Sequence, residues 1–266
     1  MTLPLAIAIV AVTLIVGSLV YILVARRSPH GGREQSTPTS VYAVTAGAMS
    51  LLIAFTMSIT YTQYLEAQQA AASEAEAVIS MSRAATFMKP EMRDELRNQL
   101  ACYSDEVIHV SWPAVRRGAT SLQPEVAATI NTMDGILAAD PNGAGAGLDL
   151  WETANAQRLA AHMEMLQIAG SGVPPILWLL LIAGSLITIG SLVVYADRSK
   201  PAWGHVLVII GPLFIASAAL VVIAFFDNPY MDTPGAVSPR PMQLTYERLT
   251  GSQIPGVPLA VCPQAS

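Results

Sequence analysis

The chain is short of charge, cysteine and histidine, and each shortage closes off a class of function. Charged residues fill 12% of its 266 positions, about half of the roughly 25% carried by a soluble globular domain. Most of its surface is therefore built for lipid or for other helices. The net charge is −5 and the basic residues are scattered, so the basic stripe that nucleic acid demands is missing. Two cysteines, Cys102 and Cys262, are too few for a disulfide framework and lack metal-ligand spacing, and the four histidines form no cluster. The sequence offers neither a metal site nor a cofactor motif. No long apolar run holds an ionisable residue in its interior, whereas intramembrane catalysis and proton relays normally need one. An intramembrane enzyme is the least favoured reading, and the expectation is a protein without enzymatic activity.

What the sequence has is apolar length. Hydrophobic residues make up 53% of it, and the central stretch runs from Val41 to Met81. Val41 to Tyr61 carries no charge and no proline, and roughly 20 such residues at about 1.5 Å each cross the hydrocarbon layer. Ala43, Gly47, Ser50, Ala54 and Ser58 recur at helical spacing, a stripe of small residues that lets another helix approach closely in lipid. Roughly opposite lie Thr45, Met49, Leu52, Thr56, Thr60 and Gln63. These six are the candidates to meet a partner or line a path; alternatively, the threonine hydroxyls bond carbonyls of their own preceding turn. Beyond Tyr61 the sequence is rich in helix formers and lacks glycine and proline as far as Ile79, which predicts that the helix continues into water.

Read in order, the pattern predicts an all-α polytopic membrane protein with four transmembrane helices and an extramembrane helical domain between spans 2 and 3. The spans cover residues 1–25, 41–62, 174–196 and 203–226; the loops are 26–40 and 197–202; the helical domain is 63–173 and the tail 227–266. Within the domain, Pro90 and Glu91 open a helix whose apolar face is Met92, Leu96, Leu100, Tyr103, Val107 and Val110. A helix is expected over Glu125 to Ala138, a loop over Asp140 to Gly147, and a last helix from an Asp149/Glu152 capping box to Ile168. Gly211-Pro212 predicts a kink in the fourth span. The tail has seven prolines and is expected to be extended.

The two short loops hold five basic and two acidic residues, so the positive-inside rule puts both in the cytoplasm and both termini outside, in a bacterial inner membrane. Both cysteines then face an oxidising compartment, which predicts a Cys102–Cys262 bridge stapling the tail to the helical domain. On the same side, Arg83 and Asp227 form a candidate pair anchoring the tail, against the alternative that these, with Glu66 and Glu74, are solvated charges. His205, at the inner end of the fourth span, is a candidate pH sensor or an interfacial residue.

Gly47 to Phe55, Tyr64, the Ser73-Glu-Ala-Glu-Ala run, Arg83 and Lys89-Pro-Glu-Met-Arg together resemble the bacterial bestrophin-like membrane proteins of uncharacterised function. Phe226-Asp-Asn-Pro-Tyr, with Gly235, Val237 and Pro239, is similar to the segment after that family's last span. Glu76 stands where the family pattern leads one to expect asparagine. The resemblance implies a ring of subunits in the bilayer with the second span of each lining a central path. It does not carry calcium gating, since an acidic clasp of loop type is missing, nor anion selectivity, given the acidic exterior.

Two functions remain in competition. The first is a homo-oligomeric ion channel with the second span lining the path; the second is a non-conducting accessory or scaffold subunit binding another membrane protein or an envelope component.

Overall fold

The computed structural model describes residue 15, residues 36–195 and 202–251, and residue 262, with side chains placed at 15, 43–191, 210–251 and 262. The first expected span apart from residue 15, and most of both short loops, lie outside the described residues, as does the side chain of His205. Every regular element among the described residues is a helix.

Helix α1 (Ser36–Ala84) is 49 residues long and unbroken. It opens five residues before Val41; Pro38 is tolerated because the first turn has no N–H partner to lose. The stretch Ala43–Phe87, α1 from Ala43 with the turn that follows it, is long and apolar enough to cross a membrane. Beyond Gly47 neither glycine nor proline interrupts it, so the expected continuation past Tyr61 is present. A tight turn at Ala85–Phe87 ends it, and Lys89 is extended (φ −55°, ψ 145°), as the residue before a proline must be.

Helix α2 (Pro90–Glu106) runs into a π-helical turn at Val107–Ser111 and a short α3 (Trp112–Arg116). Pro113 is the cause: it has no N–H to give His109 and its ring would strike that carbonyl, so the helix widens by one residue ahead of it. Gly118, at φ +85°, closes the segment in the left-handed conformation. Helix α4 covers Pro124–Ala139. The expected loop after it holds one helical turn, α5 (Pro141–Ala144), because the Asp140 carboxylate caps the Gly143 N–H at 2.9 Å. The same carboxylate takes Lys89 Nζ at 2.6 Å. Helix α6 (Gly147–Gly170) starts two residues before the expected capping box, without any side-chain cap; Asp149 lies in its first turn. Gly147 is required there: a Cβ would come within 2.7 Å of the Ala84 carbonyl oxygen.

Helices α7 (Pro175–Tyr195) and α8 (Ala202–Phe226) match the third and fourth apolar runs, with Pro212 inside α8. The tail corrects the sequence reading: it contains α9 (Arg240–Gly251). Pro239 and Pro241 precede or open that helix, where proline is harmless, and the next ten residues have none. Met242, Thr245 and Leu249 supply its buried face.

The described chain divides into two compact units. In the first, α1 up to Tyr64 joins α7 and α8, with a small core of Met49, Leu181 and Ile223. The second comprises α1 from Leu65, α2 to α6, and α9. Its core is built on the predicted α2 face: Met92, Leu96, Leu100, Tyr103 and Val107 are buried, with Val78, Met133, Trp151 and Met242 packed among them.

Candidate functional site

In the first unit, α1 presents one face to its own unit and one outward. Met49, Thr56 and Thr60 are buried, and Leu52 and Gln63 half-buried. The threonines bear burial because each hydroxyl donates to a carbonyl one turn back, Thr56 to Leu52 at 2.8 Å and Thr60 to Thr56 at 3.1 Å. Met49 lies against Gly184 of α7, where an added Cβ would come within 2.6 Å of its Sδ.

The outward face carries Ala43, Gly47, Ser50, Ala54 and Ser58, all exposed, together with Val44, Leu51 and Phe55, exposed by 72%, 74% and 64%. Within one chain, then, most of the residues expected to line a path are packed inside, and the small residues expected to pack are open. Thr45 is the one lining candidate on an exposed position.

At the end of these helices Tyr61, Tyr64, Phe225 and Phe226 form an aromatic cluster, with ring centroids 5.2 Å apart for Tyr61 and Phe226 and 5.3 Å for Tyr64 and Phe226. Such rings favour the membrane interface. Asp227 follows directly and its Oδ1 accepts the Val173 N–H at 2.5 Å, tying the end of α8 to the segment two residues ahead of α7. Arg83 belongs to the other unit and is exposed.

The second unit holds a buried polar cluster that the sequence analysis did not single out. The Tyr103 hydroxyl donates to Glu74 Oε1 at 2.5 Å, and His162 Nδ1 lies 2.9 Å from the same oxygen. Arg158 Nη1 donates to the Tyr103 oxygen at 3.1 Å, and its Nε and Nη2 reach Asn155 Oδ1 at 2.9 and 2.7 Å. The guanidinium also covers the Tyr103 ring, 4.8 Å from its centroid. Glu74, Tyr103, Arg158 and His162 are at most 1% exposed. Glu74 is thus no solvated charge, as the sequence reading had it as one alternative, but the buried acceptor joining α1, α2 and α6. Burial, with the Glu74 carboxylate beside it, raises the Tyr103 phenol well above its ordinary pKa, so Tyr103 stays a donor. His162 Nε2 meets no polar partner among the described residues.

A second buried carboxyl ends α2. Glu106 is 7% exposed, accepts the Thr129 hydroxyl at 2.9 Å through Oε1, and has no partner for Oε2 among the described residues. Burial first, then the nearby Glu125 and Asp105, push it up to about 7, against the opposing Thr129 bond.

These residues escape a linear reading because 29 to 88 positions separate the partners of Glu74 from it. One signal was available: in α6, Trp151, Ala154, Arg158, Ala161, His162 and Met165 form a single helical face, and polar residues within an apolar stripe mark a buried network. Cys102 and Cys262 are joined by a disulfide, as the sequence predicts.

A family model described as a bestrophin-like domain matches residues 11–242. Among curated proteins, none matches this chain. Among solved structures, a bacterial bestrophin homologue from Klebsiella pneumoniae, phased on zinc, superposes with a TM-score of 0.71 at 12% identity, covering 93% of this chain and 99% of the other. A mutant of a Klebsiella bestrophin homologue gives 0.72 at 12% identity over 94% and 99%. A structure described only as a membrane protein gives 0.72 at 11% over 92% and 97%. At such low identity these likenesses establish the fold, and the domain match establishes the rest: this chain is a membrane protein of the bestrophin-like family.

Proposed function

We propose that the protein is a homo-oligomeric ion channel of the bacterial inner membrane, with α1 as the helix around its path. One observation carries this reading: α1 leaves a continuous outward stripe, Val44, Gly47, Leu51, Ala54, Ser58 and Thr62, exposed in the single chain. Val44 and Leu51 flank the small Gly47 there, and small or hydroxyl-bearing residues follow from Ala54 to Thr62. Neighbouring copies can close on the small residues, and rings of hydroxyls and apolar side chains can pass ions or shut by dewetting. The burial of Met49, Thr56 and Thr60 favours this face over the one containing them. Four spans, with both termini extracytoplasmic, complete the proposal; a disulfide in the second unit favours an oxidising side for it.

The test is the native mass of the detergent-solubilised protein followed by ion flux from proteoliposomes. A closed homo-oligomer that conducts is expected, with Ser58→Leu and Leu51→Ser changing the flux severalfold and Thr56→Val leaving it near wild type. A single copy inside a larger assembly would overturn the channel and make the stripe a docking face for another membrane protein. Flux altered only by Thr56→Val would return the lining role to the inner face.

A further inference from the structure

The second unit contains a groove of about 290 Å³ between two helices distant in sequence. One wall is α1, with Glu76, Ser80 and Arg83; the other is the tail helix α9, with Pro241, Leu244 and Arg248. The groove exists only because the tail is docked: Thr245 Oγ1 donates to the Ala75 carbonyl at 3.3 Å, and Met242 and Leu249 are buried. Its volume lies at the lower edge of the roughly 300–1,000 Å³ typical of small-molecule sites.

The charges in this groove are unmatched. Arg83 and Arg248 are exposed and have no ion-pair partner among the described residues, although acidic residues outnumber basic ones in this unit. The other cations described there are not all so placed: Lys89 is held by Asp140 and Arg93 by Asp94. Glu76 is the single carboxylate among the described residues that line the groove, and with two guanidiniums they carry a net positive charge. Guanidinium recognises carboxylate and phosphate oxygens through paired N–H donors. Leu244, 45% exposed, and Pro241 provide an apolar wall beside these donors.

We propose that this groove binds a small organic oxyanion, a phosphate ester or carboxylate on a compact apolar body, with Arg83 and Arg248 engaging the acidic group and Leu244 and Pro241 covering the body. Glu76 opposes a second acidic group and so limits the site to ligands with one acidic end.

Phenyl phosphate is a suitable probe, titrated calorimetrically into the full-length protein in detergent with its disulfide intact. One saturable site per chain is expected, weakened about tenfold or more by Arg83→Gln and by Arg248→Gln, as loss of a charged hydrogen bond predicts, and tightened by Glu76→Gln. Inorganic phosphate should bind more weakly, because it leaves the apolar wall uncovered. Both arginines are exposed, so the variants should melt as wild type, which the same samples can verify. Lack of saturable binding, or binding that both arginine variants retain, would overturn the proposal. So would a drop in native mass in both variants, since the groove would then seat a second copy of the chain. Tighter binding of a short-chain phosphatidic acid than of phenyl phosphate would support the site and assign its ligand to lipid; preference for phenyl phosphate would support it and assign a soluble metabolite.

Discussion

Raising the pH from 4.5 to 8 should destabilise this protein through one residue, Glu106. Its carboxyl is pushed from its usual 4.5 up to about 7 in the folded chain. In the unfolded chain it ionises at its usual pKa, so between 4.5 and 7 the folded state binds more protons and stability falls as pH rises. The contribution is fully present below 4.5, declines through 7 and is constant above about 8. A shift of that size corresponds to about 3 kcal/mol, or about 1.5 kcal/mol if solvent at the pocket rim screens the ionised group. At 2–4 °C per kcal/mol for a chain of this size, the melting temperature should change by roughly 3 to 12 °C. Glu106→Gln keeps an acceptor for the Thr129 hydroxyl and cannot ionise. Thermal melts of the solubilised protein at steps across this range should therefore show wild type and variant diverging with rising pH, the variant becoming the more stable. Asp94 and Asp140, both held below their usual pKa by Arg93 and Lys89, stabilise only above the ordinary carboxylate range and titrate outside this window. Parallel curves for wild type and Glu106→Gln would refute the assignment of the shift to Glu106.

The buried cluster gives a second prediction. Tyr103→Phe removes the hydroxyl linking Arg158 to Glu74 and should cost about 1–3 kcal/mol, and Arg158→Met, which strips the Tyr103 oxygen and Asn155 Oδ1 of their charged donor, should cost about 1.5–3 kcal/mol, both read as loss of melting temperature. Non-reducing peptide mapping should recover Cys102 joined to Cys262, and replacing both with serine should lower stability by about 2–4 kcal/mol. Gly184→Val, which drives a side chain into Met49, should cost about 1–3 kcal/mol in the same melts.

Much of the second unit was legible because apolar and charged residues alternate at helical spacing along α2. Along α2 and the π-helical turn after it, the apolar positions Met92, Leu96, Leu100, Tyr103 and Val107 stand out against charged neighbours and are buried, while Val110, the sixth of the expected face, is half-buried. Tyr103 was legible only as an apolar body; its hydroxyl and the partners it joins come from three helices, and no local period links them. The tail was misread because counting prolines ignores where they fall: Pro241 opens α9, and the residues that follow have their own apolar face. The capping box failed for a related reason. Gly147 can approach the Ala84 carbonyl as no larger residue could, so packing fixes the start of α6 and overrides the local cap.

The two faces of α1 show why a membrane helix resists the same reading. In water, polarity separates outside from inside. In lipid both faces are apolar, and a threonine that bonds its own preceding carbonyl costs little to bury, so Thr56 and Thr60 pack against their own unit as readily as Met49 does. Small residues are equally ambiguous: they mark close approach by another helix without saying whether it belongs to the same chain. Gly184, rather than any glycine of α1, makes the close contact inside the unit, and Gly47, Ala54 and Ser58 are left open. For an oligomer this is the economical arrangement. The intrachain contact is fixed by shape at Met49 and Gly184, while the small outward stripe stays free for a neighbouring copy, where close approach sets the width of any central path.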